Sequence, residues 1–327
     1  MLKLWNPAVF QGNLQKSGYF EGWYFKHVSP DNKTAYAVIP GVSLTRDKGL
    51  AHCFIQFFDA RRGRSHYLKY PLDDFRWEEK AFEIKIHKNS FTLSHMQLDI
   101  DREEVRVLAD MRYTCTHPWP VSLLSPGAMG WYAFVPKMEC YHDVLSFNHT
   151  LEGAIEVDGV RTDFTGGKGY IEKDWGVSMP HSWIWMQTNH FGEPDASLFG
   201  SIAKIPWLGG SFTGFLFGFY LKKRVYRFTT YTGARIKNLS LDGERVAFTV
   251  EDARCALDIT GHRAGGARLV APKMGEMTVK IDETLDSEIA LVFYRKKGRE
   301  VIFSGTGINA GLEYVGDVEE LARGLIA

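Results

Sequence analysis

Two acidic residues, Glu172 and Asp174, lie two positions apart between Tyr170 and Trp175. In a regular β-strand Tyr170, Glu172 and Asp174 project from the same face, because side chains alternate with a period of two. Two adjacent carboxyl groups can share one proton, which leaves one of them neutral and able to act as an acid. The spacing therefore predicts a carboxyl pair, Glu172 and Asp174, of which one member can donate a proton. The alternative is a turn in which Asp174 accepts backbone hydrogen bonds before Gly176.

A second pattern of rings and polar groups follows at residues 182–191. If this segment is a strand, Trp183, Trp185, Gln187 and Asn189 point in one direction. Two indoles followed by two amides suit the wall of a cavity, where indoles contact an apolar or cationic group and amides fix a polar end. The alternative is a packed core in which the amides are hydrogen-bonded.

The N-terminal segment 18–25 resembles the segment 169–175, because both open with Gly-Tyr-apolar-Glu and reach a tryptophan within three residues of the glutamate. In the first copy Glu21 and Trp23 share one strand face, and Tyr24 lies on the other. Burial among aromatic rings would favour the protonated form of Glu21 and make it a further candidate acid. Alternatively, Glu21 pairs with a lysine or arginine or closes the end of a barrel. Two copies almost half of the chain apart predict two similarly built domains.

The composition excludes several classes of function. A chain of 327 residues with 45% apolar residues can fill two cores. Lys+Arg and Asp+Glu are equal at 39 each, so no net field attracts nucleic acid. The four cysteines are widely spaced and the N-terminus lacks an apolar signal sequence, which predicts free thiols and a cytoplasmic protein. No HExxH, CxxC, P-loop or Gly-x-Ser-x-Gly motif occurs, so neither a metal site nor a cofactor is expected.

Most of the chain alternates between apolar and polar residues and is interrupted at turns. Strands are expected at residues 52–58, 106–113 and 289–293, with hairpins at Asp158-Gly159 and Asp242-Gly243. The pattern predicts an all-β fold of antiparallel barrels with one short C-terminal helix over 317–325, capped by Asp317. The proline-rich segment 117–137 is predicted to be either a binding loop or lid, or a crossover packed on a barrel end. The expected domains are residues 1–160 and 161–327.

The same motifs resemble the tocopherol cyclase family, and the likeness runs over nearly the whole chain. Membership implies a tandem of lipocalin-like β-barrels, in agreement with the strand pattern. The resemblance is carried by residues 18–26, 164–176 and 183–191, together with 203–207 and 305–307.

For plant and cyanobacterial members, the resemblance implies closure of a chromanol ring from a prenylated hydroquinone without a cofactor. An acid protonates the alkene, aromatic faces hold the tertiary cation, and the phenolic oxygen attacks it. Indoles can each stabilise a desolvated cation by ~2 kcal/mol or more, and a positioned acid contributes roughly 10²–10⁴-fold. Asp174 is then expected as the acid, with Glu172 or Glu21 as its partner. The residues expected to bind substrate are Trp23, Tyr24, Tyr170, Trp175, Trp183, Trp185, Gln187 and Asn189.

Two other functions stay open on the sequence. One is a lipid- or isoprenoid-binding protein of the same fold without catalysis, and the other is a hydratase or isomerase that acts on a polyene. In each case the expected partner is a hydrophobic small molecule or lipid. A peripheral membrane contact and a homodimer, formed through exposed strand edges, are further interpretations that the sequence leaves open.

Overall fold

The computed structural model describes residues 3–326, which form antiparallel β-sheets and one α-helix at the C-terminus. The chain divides into two compact units. Unit 1 runs to Met179 and also contains Arg268–Lys280, whereas unit 2 consists of Pro180–Ala267 and the chain from Ile281 onward. Within the described range, no helix is long and apolar enough to cross a membrane.

Unit 1 is built on one twelve-stranded antiparallel sheet. Its strands are β1 (Tyr19–Val28), β2 (Ala35–Leu44), β3 (His52–Asp59), β4 (Arg64–Pro71), β5 (Phe75–Trp77), β6 (Glu83–Ile86), β7 (Asn89–Thr92), β8 (His95–Asp101), β9 (Arg106–Thr114), β10 (Cys140–Val157), β11 (Val160–Asp163) and β12 (Lys168–Gly176). Their order in the sheet is β4-β3-β2-β1-β12-β10-β9-β8-β7-β6-β5, and β11 pairs with β10.

This sheet curls around a single apolar core. Ile55 and Phe57 of β3 lie in the same buried cluster as Ile84 and Ile86 of β6, although the two strands are near opposite ends of the sheet. Such closure is expected when alternating strands carry one apolar face that must leave water. Unit 1 therefore has a barrel-like interior.

Unit 2 repeats this organisation with nine strands. They are β13 (Trp183–Thr188), β14 (Ala196–Trp207), β15 (Gly210–Leu221), β16 (Arg224–Thr229), β17 (Arg235–Asp242), β18 (Arg245–Glu251), β19 (Cys255–His262), β22 (Ser287–Arg295) and β23 (Glu300–Val315). Their order is β16-β15-β14-β13-β23-β22-β19-β18-β17. Phe228 of β16 and Ile236 of β17, from the two ends of the sheet, again share one core cluster.

The remaining strands, β20 (Ala267–Lys273) and β21 (Glu276–Glu283), form a two-stranded ribbon. The helix α1 (Val318–Ile326) follows β23, and the Glu320 backbone N–H donates to Asp317 Oδ1 over 2.9 Å. The predicted all-β class, the C-terminal helix and its Asp317 cap are thus confirmed. The Asp158-Gly159 hairpin is confirmed as well, since both residues have positive φ angles of 52° and 81° between β10 and β11.

The division of the chain differs from the expected boundary after residue 160. The two copies of the repeated motif lie in β1 and β12, which are antiparallel neighbours in the sheet of unit 1, with Tyr24 opposite Glu172. The repeat is therefore a pair of partner strands within one unit and not the start of two domains. The first sheet needs β12 to join β1 to β10, so unit 1 ends only at Met179.

Candidate functional site

The central strand β12 has two faces with different chemistry. Ile171 belongs to the apolar core of unit 1, and Trp175 packs against it. We call their side of the sheet the core face. Tyr170, Glu172 and Asp174 alternate with them and lie on the opposite side, which we call the outer face. The predicted carboxyl pair is therefore present on one face, outside the barrel core.

A histidine that the sequence analysis did not identify completes this group. His142 of β10 is opposite Asp174 in the strand register. Its Nδ1 is 2.9 Å from Asp174 Oδ1, and its Nε2 is 3.7 Å from Glu172 Oε2. The imidazole thus bridges the two carboxyl groups. Glu172 is buried, whereas the Asp174 side chain retains 23% exposure and is the more accessible acid.

The protonation of His142 follows from these contacts. Burial alone would lower the pKa of His142, but Asp174 and Glu172 act against it and raise the pKa to about 9. The ring is therefore an imidazolium at neutral pH, where it stores a proton beside Asp174 and Glu172. The Tyr170 hydroxyl donates to Glu172 Oε2 over 2.5 Å. Burial, followed by the charge of Glu172, raises the pKa of Tyr170 well above its usual value, so that the phenol stays a donor.

The same three side chains could hold a metal ion, since their ligand atoms all lie within 4.8 Å of one another. The ring nitrogens of His142 point to different carboxyl groups, however, and one ion can bind only one of those nitrogens. Metal binding would also require His142 to lose the proton that its carboxylate neighbours stabilise. The arrangement favours a stored proton over a resident metal.

Glu21 lies on the core face and is fully paired there. Its Oε1 is 2.5 Å from Lys173 Nζ, and both side chains are completely buried. Glu21 also accepts hydrogen bonds from the Gln11 and Gly12 backbone N–H groups at 2.8 and 3.0 Å and from the Tyr19 hydroxyl at 2.5 Å. Glu21 is consequently a structural residue of the barrel, as in the alternative interpretation above. Its expected partnership with Asp174 is wrong, because the sheet separates the two side chains.

The two predicted indoles of unit 1 belong to the same core face. Trp23 is fully buried, and its Nε1 donates to Ala8 O over 2.9 Å. Lys173 Nζ lies 4.8 Å from the ring centroids of both Trp23 and Trp175. These π faces already hold a cation of the protein itself. Of the predicted ligand-binding residues in unit 1, only Tyr24 and Tyr170 lie on the outer face with Asp174.

The indoles and amides that were predicted to line a cavity are buried in and just after β13 of unit 2. Ile184 and Met186 face the apolar core of unit 2, so Trp183, Trp185 and Gln187 lie on the other face of this strand. The Trp183 Nε1 donates to Glu313 Oε2 over 2.9 Å. The indoles and amides are thus not part of the packed barrel core, although Asn189, like them, is buried. Their expected contact with a ligand stays a prediction.

A cavity of about 220 Å³ opens on the core face of unit 1. Tyr19, Tyr141 and Trp175 form aromatic walls, and residues from the proline-rich segment 117–137 cover it. Its buried acid is Asp143, which accepts a hydrogen bond from the Ala128 N–H over 3.1 Å. Burial raises the pKa of Asp143 to about 7. No sequence motif marked Asp143 or His142, because their positions depend on the pairing of β10 with β12.

Comparison with known proteins identifies relatives of this chain. The profile of the tocopherol cyclase-like family matches residues 103–316. A probable chloroplastic tocopherol cyclase of Oryza sativa subsp. japonica is 33% identical over 109 residues, which cover 32% of this chain and 23% of that protein. The chloroplastic tocopherol cyclase of Zea mays is 27% identical over 202 residues, covering 57% of this chain and 41% of that protein. The matched regions span less than half the length of either relative.

Solved structures share the fold at low sequence identity. A putative AttH from Nitrosomonas europaea aligns with a TM-score of 0.52 and 13% identity, covering 91% of this chain and 93% of that chain. CghA in complex with Sch210972 aligns with a TM-score of 0.52 and 11% identity, covering 91% of this chain and 89% of that one. At such identities the likeness concerns the fold alone, and it agrees with the lipocalin-like architecture expected from the sequence.

Proposed function

The chain belongs to the tocopherol cyclase-like family, and from this membership we propose that it is a cyclase that closes a ring on a prenylated hydroquinone or a similar isoprenoid. The observation that carries the proposal is the partly buried His142–Asp174 hydrogen bond of 2.9 Å on the outer face of unit 1. Together with Glu172, this pair combines a stored proton with carboxyl groups that stabilise positive charge. Acid-catalysed cyclisation needs both, because a proton must be delivered and a carbocation must then be stabilised.

The proposed reaction has no net change in protons or electrons. The stored proton passes from His142 along their hydrogen bond to Asp174 and from Asp174 to the less substituted alkene carbon, which leaves a tertiary cation. The phenolic oxygen of the substrate then forms a C–O bond to the cation. The proton that this phenol releases returns to the His142–Asp174 pair, which restores the starting state.

Each side chain of the outer face has a defined part in this proposal. Glu172 accepts the Tyr170 hydrogen bond and helps to raise the pKa of His142. Its charge also favours the cationic intermediate, because an ion pair in a buried site is screened less than in water. Tyr24 and Tyr170 are the rings beside this charge that could face the cation. Glu21 has no part in the chemistry.

The test is turnover of prenylated hydroquinones of several tail lengths by the purified protein, with chromanol formation followed by mass spectrometry. In deuterium oxide the chromanol should carry one deuterium on carbon, since the acid exchanges with solvent before it protonates the alkene. Asp174→Asn should lower chromanol formation by roughly 10²–10⁴-fold, whereas Asp101→Asn, a change of an exposed acid at the end of β8, should not. Release of unchanged ligand with every tail length would indicate a binding protein. Uptake of heavy oxygen from water would indicate a hydratase.

A further inference from the structure

The proline-rich segment between β9 and β10 exposes an unusual set of apolar side chains. Leu123 and Leu124 are both 77% exposed, and Val121, Trp131 and Phe134 are roughly half exposed. We call these five residues the apolar tip. An exposed apolar set of this kind within one short segment marks an interaction surface, because the folded chain gains nothing by holding it in water.

The apolar tip is held in place by specific contacts and is not a loose loop. Trp119 is buried at the start of the segment and stacks on Phe147 with ring centroids 5.8 Å apart. The Trp5 indole donates to Leu123 O over 3.2 Å, and its ring lies 5.7 Å from that of Phe134.

Two residues of β10 fix the second half of the segment. The Ala128 N–H donates to Asp143 Oδ2 over 3.1 Å, and the Tyr141 hydroxyl donates to Val135 O over 2.7 Å. The barrel therefore supports the tip from its inner side and leaves the apolar side chains facing outward.

The composition of the segment identifies the partner. Residues 118–136 contain no Asp, Glu, Lys, Arg or His. A protein interface of ordinary size carries several direct hydrogen bonds and a polar rim, for which this segment offers few side chains. The acyl boundary of a bilayer needs apolar side chains flanked by amphipathic rings, and Trp131 and Tyr132 are such rings, stacked at 4.1 Å.

We propose that the apolar tip inserts into the surface of a lipid bilayer and attaches unit 1 to it. The inner side of the same segment lines the cavity of unit 1 through Pro126, Gly127, Met129 and Ala133. One segment therefore contacts lipid on its outer side and forms a wall of the cavity on its inner side, which gives a hydrophobic molecule a short path between bilayer and protein. This proposal does not depend on the chemistry proposed for the outer face.

The test is cosedimentation of the full chain with phosphatidylcholine vesicles and with vesicles that also contain phosphatidylglycerol. Binding should occur to both and change little with salt, because the tip carries no charge. The affinity of the Leu123→Asp/Leu124→Asp double variant for vesicles should fall by at least ~100-fold, because each substitution removes several methylene contacts with lipid. Tryptophan fluorescence should shift to the blue with vesicles for the wild-type chain but not for the double variant, and Trp131→Phe should reduce the shift.

The matched control is Leu208→Asp, since Leu208 is a still more exposed leucine, at 93%, in unit 2. It should bind vesicles like the wild-type chain. Thermal unfolding of all variants checks that the fold is intact, which is expected because the substituted side chains are exposed. No vesicle binding by the wild-type chain, or an equal loss in Leu208→Asp, would overturn the proposal. A dimer that Leu123→Asp/Leu124→Asp converts to monomer would assign the tip to a second copy instead.

Discussion

Glu21 and Glu172 occupy the same position in two similar strands, yet their side chains point to opposite faces of one sheet. Each accepts a hydrogen bond of 2.5 Å from the tyrosine two residues before it, Tyr19 or Tyr170. Glu21 is neutralised by Lys173 in the barrel core, whereas Glu172 lies beside the imidazolium of His142. Similar local sequence therefore serves stability on one face and a candidate active site on the other.

Removing Glu21 should destabilise the protein without acting on the chemistry. Glu21→Ala leaves the Lys173 ammonium buried without its counter-charge, which costs about 3–5 kcal/mol. Urea unfolding measures this cost. The Glu21→Ala/Lys173→Met double variant should lose less than the sum of the two single changes, because no uncompensated charge is left. A loss for Glu21→Ala as small as that for an exposed glutamate such as Glu103 would contradict the assignment.

The proton supply from His142 should appear in the pH dependence of turnover. The raised pKa of about 9 means that His142 is protonated below that pH, so kcat/KM should fall as pH rises through about 9. Glu172→Gln removes one of the charges that raise this pKa, and the falling limb should move to lower pH. Glu152→Gln, a change of an exposed residue of the same strand as His142, should leave the limb in place. A profile that is flat through this range would refute the role of His142.

Asp174 should affect catalysis far more than stability. Asp174→Asn keeps an oxygen that can accept from His142 but cannot donate a proton to the substrate, so turnover should fall by roughly 10²–10⁴-fold. Ligand affinity, measured by quenching of tryptophan fluorescence, should change little. If affinity and turnover fall together, Asp174 serves binding instead.

Two histidines in the core of unit 1 should weaken the fold in acid. His27 Nε2 is 2.7 Å from the Tyr113 hydroxyl, and the His149 ring lies 4.8 Å from the Tyr113 ring. Burial lowers the pKa of both from 6.5 to about 3. The unfolded chain therefore binds these protons first, so their contribution is complete above pH 6.5 and declines as pH falls toward 3.

The expected loss is ~1.4 kcal/mol per pH unit for each histidine. Urea unfolding at a series of pH values measures the slope. His27→Phe should make the slope shallower, whereas His262→Phe, which alters an exposed histidine of unit 2, should not change it. An unchanged slope in His27→Phe would show that His27 is already protonated in the folded chain.

Asp143 should control the order of the segment that covers the cavity. Asp143→Ala removes the acceptor of the Ala128 N–H, so hydrogen exchange over residues 126–130 should accelerate by at least ~5-fold. Asp143→Asn retains an acceptor oxygen and serves as the matched control. Equal protection in both variants would show that Tyr141 and Trp119 suffice to hold the segment.

The local features of this fold could be predicted from the sequence because they depend on local periodicity. The strand expected at residues 106–113 is β9 (Arg106–Thr114), and the helix begins directly after Asp317. The pairing of β1 with β12 could not be predicted, since strands far apart in the chain are joined by tertiary hydrogen bonds and packing. Two similar strands in one sheet therefore produce the same repeated motif in the sequence as two similar domains would.

The candidate site was only partly predictable for the same reason. Glu172 and Asp174 follow from their spacing in one strand, but His142 reaches them only through the register of β10, which contains bulges between Val144 and His149. Sequence alternation also could not show which face of β1 is inside the barrel. Glu21 and Trp23 consequently appeared as site residues although they belong to the core.

The hairpin residues Arg268–Lys280 belong to unit 1, although they come much later in the chain than the other residues of that unit. The Ser43 hydroxyl donates to Gly275 O over 2.7 Å, and the Val270 N–H donates to Gln56 Oε1 over 2.8 Å. During synthesis on the ribosome, Ser43 must therefore wait until Gly275, 232 residues later, has been made before their hydrogen bond can form. We expect the nascent barrel to depend on chaperones over that interval.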